Sequence, residues 1–282
     1  MGGLLAACGS GSGSDSDSGD AASTDTGPFD GFVLATRYPV SKALTPGEVR
    51  LAVSLADQNA SLITGGPATI SGVVRNEQGN VITEFEAPRR GTGLSVPYWS
   101  ITTTVSTRGL YDLTVEGATG DPAPFLVWDP SEVTVPSPTM PLPPFDTPTF
   151  DDARGVDPVC SRSLVGDGPC PFHEVTLTEA LGAGLPVVYL VGTPAFCQTG
   201  TCGPGLDFLI EAATGFSGAA TFVHAEVYAD AEGTQVAPAV DAAGLDYEPA
   251  IWITDATGTI TRRIDIVWDQ DELTALLTDS LT

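Results

Sequence analysis

The chain has 282 residues, 42% of them apolar, which is enough for two packed cores. Thirty-six acidic side chains against eleven basic ones give a formal net charge of −25, so phosphate-backbone binding is excluded as a function class and nucleic acid is not an expected partner. Five cysteines, two histidines and a single lysine, Lys42, are the residues left for metal, thiol or amine chemistry.

Residues 1–28 contain Leu5-Ala6-Ala7-Cys8 followed by the tract GSGSGSDSDSGD, a composition that behaves as a flexible spacer. Small residues, a cysteine and a polar tether in this order resemble the lipobox of bacterial lipoproteins. The resemblance implies acylation of Cys8 and an extracytoplasmic protein anchored to the bacterial cell membrane. No basic region and only four apolar residues precede Cys8, so the leader that such processing needs is expected upstream of Met1. No other segment approaches the roughly 20 apolar residues of a membrane span.

From residue 29 to 135 the pattern is one of short alternating strands. Val49–Ala56, Ala68–Arg75, Val81–Ala87, Trp99–Val105, Tyr111–Val115 and Phe125–Trp128 are separated by turn signals such as Gly65-Gly66-Pro67 and Glu77-Gln78-Gly79-Asn80. That cadence predicts a β-sandwich. The phrases LTPGEVRLAVSL and STRGLYDLTVEG resemble immunoglobulin-like modules of bacterial surface proteins, which implies positioning or partner binding and no chemistry. Residues 136–172 are expected to be a linker and a cysteine-containing loop. Seven prolines lie between Asp129 and Phe150 and favour stiff, extended chain. Cys160, Cys170 and His173 follow. The four cysteines beyond Cys8 allow three pairings. The local one, Cys160 with Cys170, would be a structural disulfide worth roughly 2–4 kcal/mol in an oxidising compartment. A metal site built on Cys160, Cys170 and His173 is the rival, but the spacing fits no familiar zinc pattern. His224, in an alternating strand, reads as a hydrogen-bonded structural histidine. No cofactor and no metal are expected.

Residues 173–282 form the second expected domain. Thr176 with Glu179 is a capping-box pattern for a short helix reaching about Gly182. Pro186–Val191 is an apolar run suited to a strand covered on both faces, and Leu206, Leu209 and Ile210 recur at helical spacing from about Gly203. Ala220–Tyr228 and Ala250–Thr254 read as strands, Asp255-Ala256-Thr257-Gly258 as a hairpin turn, and Asp269–Leu277 as a last helix. Cys197 and Cys202 therefore fall between a strand's carboxyl end and a helix's amino end, where partial positive charge favours a thiolate. By the dipole argument Cys202 is the better placed.

A strand, Phe196-Cys197, and Cys202-Gly203-Pro204 opening a helix resemble the thioredoxin superfamily and its Trp-Cys-Gly-Pro-Cys motif. Two alignments compete. One puts Cys197 on the attacking cysteine; the other puts Cys202-Gly203-Pro204-Gly205 on Cys-Gly-Pro-Cys, with the second cysteine replaced by Gly205. The resemblance covers residues 173–282 and implies that Pro249 is cis and faces the cysteines. Glu248 before it departs from the family's small or β-branched residue. The fold class expected is thus multidomain: an all-β immunoglobulin-like sandwich followed by an α/β thioredoxin-like fold. The function implied is a membrane-tethered thiol-disulfide oxidoreductase acting through Cys197, Cys202 and Pro249 on protein or small-molecule disulfides. Two other readings stand beside it. Thr199-Gly200-Thr201-Cys202 resembles the Thr-x-x-Cys of peroxiredoxins, which would make Cys202 a peroxide-reacting thiol. Two cysteines with a histidine would suit a copper-handling surface module, and a purely adhesive module needs neither. No lysine or arginine lies between Arg162 and Arg262, so a thiolate would rest on backbone dipoles.

Overall fold

A computed structural model describes residues 31–166 and 168–281. Cys8, the expected lipidation site, lies outside the described residues. Among them no helix is long and apolar enough to cross a membrane.

The first unit has seven strands, β1 Val33–Thr36, β2 Gly47–Ala56, β3 Thr69–Asn76, β4 Val81–Arg90, β5 Tyr98–Val105, β6 Gly109–Val115 and β7 Ala123–Val127. They run in the order β1-β2-β5-β4-β3-β6-β7. Alternation is clear in β5, β6 and β7: Tyr111, Leu113 and Val115 of β6 turn inward to meet Leu51, Val53 and Leu55 of β2 in one core around fully buried Trp99. β4 is the element that shapes the unit. It pairs with β3 from Val81 to Pro88, then passes to β5 through Arg89 opposite Trp99 and Arg90 opposite Tyr98. Since one strand serves both halves, the hydrogen-bonded sheet is continuous.

The second unit has a four-stranded sheet in the order β11-β10-β8-β9, where β8 is Val187–Val191, β9 Thr221–Ala225, β10 Ala250–Thr254 and β11 Ile260–Asp265. β8 and β9 are parallel; the other two pairings are antiparallel. β8 and β10 are buried at every position, which explains their unbroken apolar runs. Helices are few: α1 Leu177–Gly182, α2 Cys202–Ala213, α3 Pro238–Ala242 and α4 Gln270–Leu281. Thr176 and Glu179 form the reciprocal capping box at the start of α1. Gly205 of α2 has a packing reason. A Cβ there would lie 2.9 Å from the ring of buried Trp268, whose Nε1–H donates to Gly205 O at 3.2 Å. A cysteine at 205 would collide with that ring, so the alignment that puts a lost cysteine at Gly205 has no room for it.

The expected fold class is therefore corrected. Seven strands form one continuous sheet rather than the two facing sheets of a sandwich, because β4 belongs to both halves. The second unit is a small mixed sheet and not the alternating α/β layers implied by the resemblance. The five-residue α3 is the one α-helix between β9 and β10, and among the described residues strand outweighs helix.

The proline-rich stretch also differs from a linker. Thr139 N–H donates to Ile260 O and Leu142 N–H to Gly258 O, both at 2.8–2.9 Å, so the stretch lies along β11. Leu142 and Val135 join the core of the second unit, and Trp252 Nε1–H is satisfied by Pro136 O at 2.8 Å. The two units are locked by a buried polar network. Arg50 of β2 grips Glu272 of α4 with Nε to Oε1 at 2.9 Å and Nη2 to Oε2 at 2.7 Å, and also donates to Val267 O. Tyr98 O–H donates to the same carboxylate at 2.6 Å and accepts the Asp269 N–H.

Candidate functional site

β8 ends at Val191, and the space a side chain would take at the next residue, Gly192, is already claimed. A Cβ on Gly192 would sit 3.2 Å from Cβ of Pro249 and 3.8 Å from Cβ of Cys202. The strand end, the proline loop and the first residue of α2 thus meet at one point. The Glu248–Pro249 peptide is cis. Ile266 ties the parts together: its N–H donates to Pro249 O at 2.7 Å and its carbonyl accepts the Thr201 hydroxyl at 2.8 Å. Ile266 does so with φ +69°, a left-handed conformation that costs a β-branched residue on the order of 1–2 kcal/mol.

Because the Thr201 hydroxyl is turned to Ile266, it does not cap α2, although Thr201 stands at the N-cap position. The free N–H at the helix start goes to sulfur instead: Cys202 N–H donates to Cys197 Sγ at 3.3 Å. The Thr199 hydroxyl lies 3.1 Å from the same sulfur and 2.8 Å from that of Thr201. Hydrogen bonds from Cys202, Thr199 and the backbone at 201 and 202 outweigh burial and hold the Cys197 thiol down at about 5, well below an ordinary cysteine. The dipole argument therefore selects the other cysteine. Cys202 is the first residue of the helix, yet its N–H points at Cys197.

Cys202 is the opposite case. It is 2% exposed, and burial, together with the neighbouring Cys197 sulfur and Glu248, pushes its thiol up. Cys197 is half-buried. Both are free thiols, and the two sulfurs and a Glu248 oxygen all lie within 4.8 Å of one another. Burial, then the charges of Cys197 and Glu226, raise the Glu248 carboxyl to about 7, while its hydrogen bond with Cys202 pulls the other way. Glu248 Oε2 has no partner. A half-exposed ionisable sulfur, a buried protonated one and a carboxyl that titrates near neutrality can together move a proton and form or break a sulfur–sulfur bond.

Glu248 was legible only as an anomaly before the proline; its place against Cys202 is the signal that sequence lacked. Arg37, the residue that follows β1, was not legible at all. Its side chain is largely buried, donates through Nε to Ser54 Oγ at 3.3 Å, and lies within electrostatic reach of Cys197. The strand unit thus supplies the cation that residues 163–261 lack. Phe196 packs edge-on to Tyr228 with centroids 5.7 Å apart and fills the space over Gly233, which fixes the turn carrying Cys197.

Cys160 and Cys170 are also free thiols, so the expected structural disulfide is corrected. Both are buried, and with His173 and His224 they form a second cluster whose sulfur and ring-nitrogen donors all lie within 4.8 Å of one another. The physical reason is the parallel register of β8 and β9, which sets His224 beside Leu190 and turns its ring onto the cysteine loop. Both histidines of the chain are spent there. The pair Cys197–Cys202 accordingly has a carboxylate, not an imidazole, as its third donor.

No family model and no curated protein matches the chain. Among solved structures, the PKD domain of the human VPS10 domain-containing receptor SorCS2 aligns at 18% identity over 46% of this chain and 99% of that one, with a TM-score of 0.20. At that score the likeness carries no argument.

Proposed function

We propose that the protein is a thiol-disulfide oxidoreductase in which Cys197 attacks and Cys202 resolves, chemistry of the kind the thioredoxin superfamily performs. One observation carries the proposal: the helix-start N–H is given to the half-exposed Cys197 sulfur, while Cys202 behind it stays buried and protonated. The Cys197 thiolate displaces one sulfur of a substrate disulfide, forming a mixed disulfide and releasing the first substrate thiolate. Cys202 then passes its proton to the Glu248 carboxylate and attacks Cys197 Sγ. The second substrate thiolate leaves, the Cys197–Cys202 disulfide remains, and the substrate has gained two electrons. A thiol reductant returns the pair to the dithiol; run in reverse, the same steps oxidise a dithiol substrate.

The peroxidase reading asks for an ionised Cys202, which burial opposes. The strand unit, besides carrying Arg37, holds the site's wall in place through the Arg50–Glu272 lock. We place the protein outside the cytoplasm, tethered through a lipid on Cys8.

The direct experiment mixes the reduced full chain with an aromatic disulfide and counts released thiolate. Two equivalents per chain and a Cys197–Cys202 bond in the product support the proposal; no release, or release unchanged in Cys197→Ser, refutes it.

Two further outcomes follow from the neighbours. Glu248 accepts a proton only when ionised, and in the mixed disulfide the Cys197 charge that helps to raise its carboxyl is gone, so the resolving step in wild type rises with pH to a midpoint below the value of about 7 held in the dithiol form. Glu248→Gln removes that rise and slows resolution by about 100-fold, measured as decay of the mixed disulfide in stopped flow. Arg37→Met leaves Cys197 without its nearby cation, so the half-point of its alkylation shifts to higher pH, with little change in the far-ultraviolet circular dichroism.

A further inference from the structure

The cluster of Cys160, Cys170, His173 and His224 lies apart from the proposed exchange chemistry, and its hydrogen-bond accounting leaves something over. His224 Nε2 sits 3.0 Å from Gly192 O, and His173 Nδ1 sits 3.4 Å from Pro148 O. A carbonyl only accepts, so each of these nitrogens carries a ring proton, and in the neutral imidazole the other nitrogen of each ring presents a lone pair. Those two lone pairs, on His173 Nε2 and His224 Nδ1, face each other at 3.0 Å. Sulfur surrounds the same point: Cys170 Sγ is 3.5 Å and Cys160 Sγ 3.9 Å from His224 Nδ1.

We infer that these four residues bind a structural zinc ion. A tetrahedral ion with bonds of about 2.3 Å to sulfur and about 2.0–2.1 Å to nitrogen puts its donors roughly 3.3–3.8 Å apart; the 3.0, 3.5 and 3.9 Å separations around His224 Nδ1 straddle that range, so small side-chain adjustments would seat the ion. Two thiolates also neutralise a divalent cation, which suits a site whose four residues are at most 2% exposed. The two carbonyls orient the rings as outer partners do in zinc proteins. With four buried protein donors, the site has no open position for substrate and its role is to hold structure. What it holds is the exchange site. Gly192, whose carbonyl orients His224, abuts Pro249 and Cys202. Ser161, next to Cys160, bonds Thr193 Oγ1 and the Ala195 N–H in the turn leading to Cys197. The spacing of the four ligands hid the site, because two come from a loop, one from the segment before α1 and one from β9.

The test uses the full chain, purified without chelator, with metal counted by plasma mass spectrometry and zinc then replaced by cobalt(II). One zinc per chain is expected, with cobalt giving thiolate charge-transfer bands and intense tetrahedral d–d bands. Cys197→Ser/Cys202→Ser should keep both the zinc and the cobalt spectrum, and His173→Gln should weaken zinc retention by at least about tenfold. A metal-free chain with native circular dichroism, a mapped Cys160–Cys170 disulfide, copper(I) retained in preference to zinc, or zinc lost with the Cys197/Cys202 pair would overturn the inference. Because zinc content is read on the wild-type chain, a variant that fails to fold does not blunt the test.

Discussion

Cys197→Ser should abolish disulfide exchange, with a loss of roughly three orders of magnitude or more in rate, while Cys202→Ser should perform the first half of the reaction and stop. The asymmetry comes from where each sulfur sits. Cys197 takes the helix-start N–H and is half-buried, so an incoming disulfide meets an ionised nucleophile. Removing it leaves Cys202, protonated and 2% exposed, as the only thiol of the pair. Removing Cys202 instead leaves the attacker intact but without a resolver, and the mixed disulfide between Cys197 and substrate accumulates. Intact-mass spectrometry after a short incubation with excess disulfide reads this directly: a stable adduct on Cys202→Ser, none on Cys197→Ser. Equal adducts on both variants would mean that the sulfurs are interchangeable and the roles assigned to them wrong.

Arg50→Ala should destabilise the protein by about 3–5 kcal/mol, because it leaves the Glu272 carboxylate buried without its cation. Burial alone would raise that carboxyl; Arg50 first, then Tyr98, hold it down at about 2. An unfolded glutamate titrates near 4.3, so the group contributes about 3 kcal/mol that is complete above pH ~4.3 and lost as pH falls toward 2. Urea unfolding followed by tryptophan fluorescence should therefore place the wild type well above Arg50→Ala at pH 7 and bring the two together near pH 2. The exposed pair Arg262–Asp279 is the control: Arg262→Ala should cost less than about 1 kcal/mol. Since Arg50 and Glu272 join the two units, Arg50→Ala should also loosen the wall that Arg37 belongs to and raise the pH at which Cys197 ionises.

Local pattern carried much of the architecture. The apolar run of β8, the helical spacing of α2 and the Thr176–Glu179 box are each determined by residues a few positions apart, and each stands within a residue or two of where pattern puts it. What depends on distant pairing was not legible. β4 looks like any alternating strand, and only its handover from β3 to β5 makes one sheet out of two. The proline-rich stretch reads as a spacer because nothing local says that its carbonyls and amides serve β11 and Trp252. The same division runs through the sites. Cys197 and Cys202 are visible from their turn, but which sulfur receives the helix N–H depends on Thr201 turning its hydroxyl to Ile266. His224 in β9 is an unremarkable strand residue until the β8–β9 register sets it over the cysteine loop.

The most direct measurement is alkylation of the reduced chain by iodoacetamide across pH, with each cysteine read by peptide mass mapping. Labelling of Cys197 that is half-maximal near pH 5, with Cys202 untouched well above neutrality, is the predicted result. Cys197 titrating near an ordinary thiol's ~8.5, or Cys202 labelled first, would contradict the account.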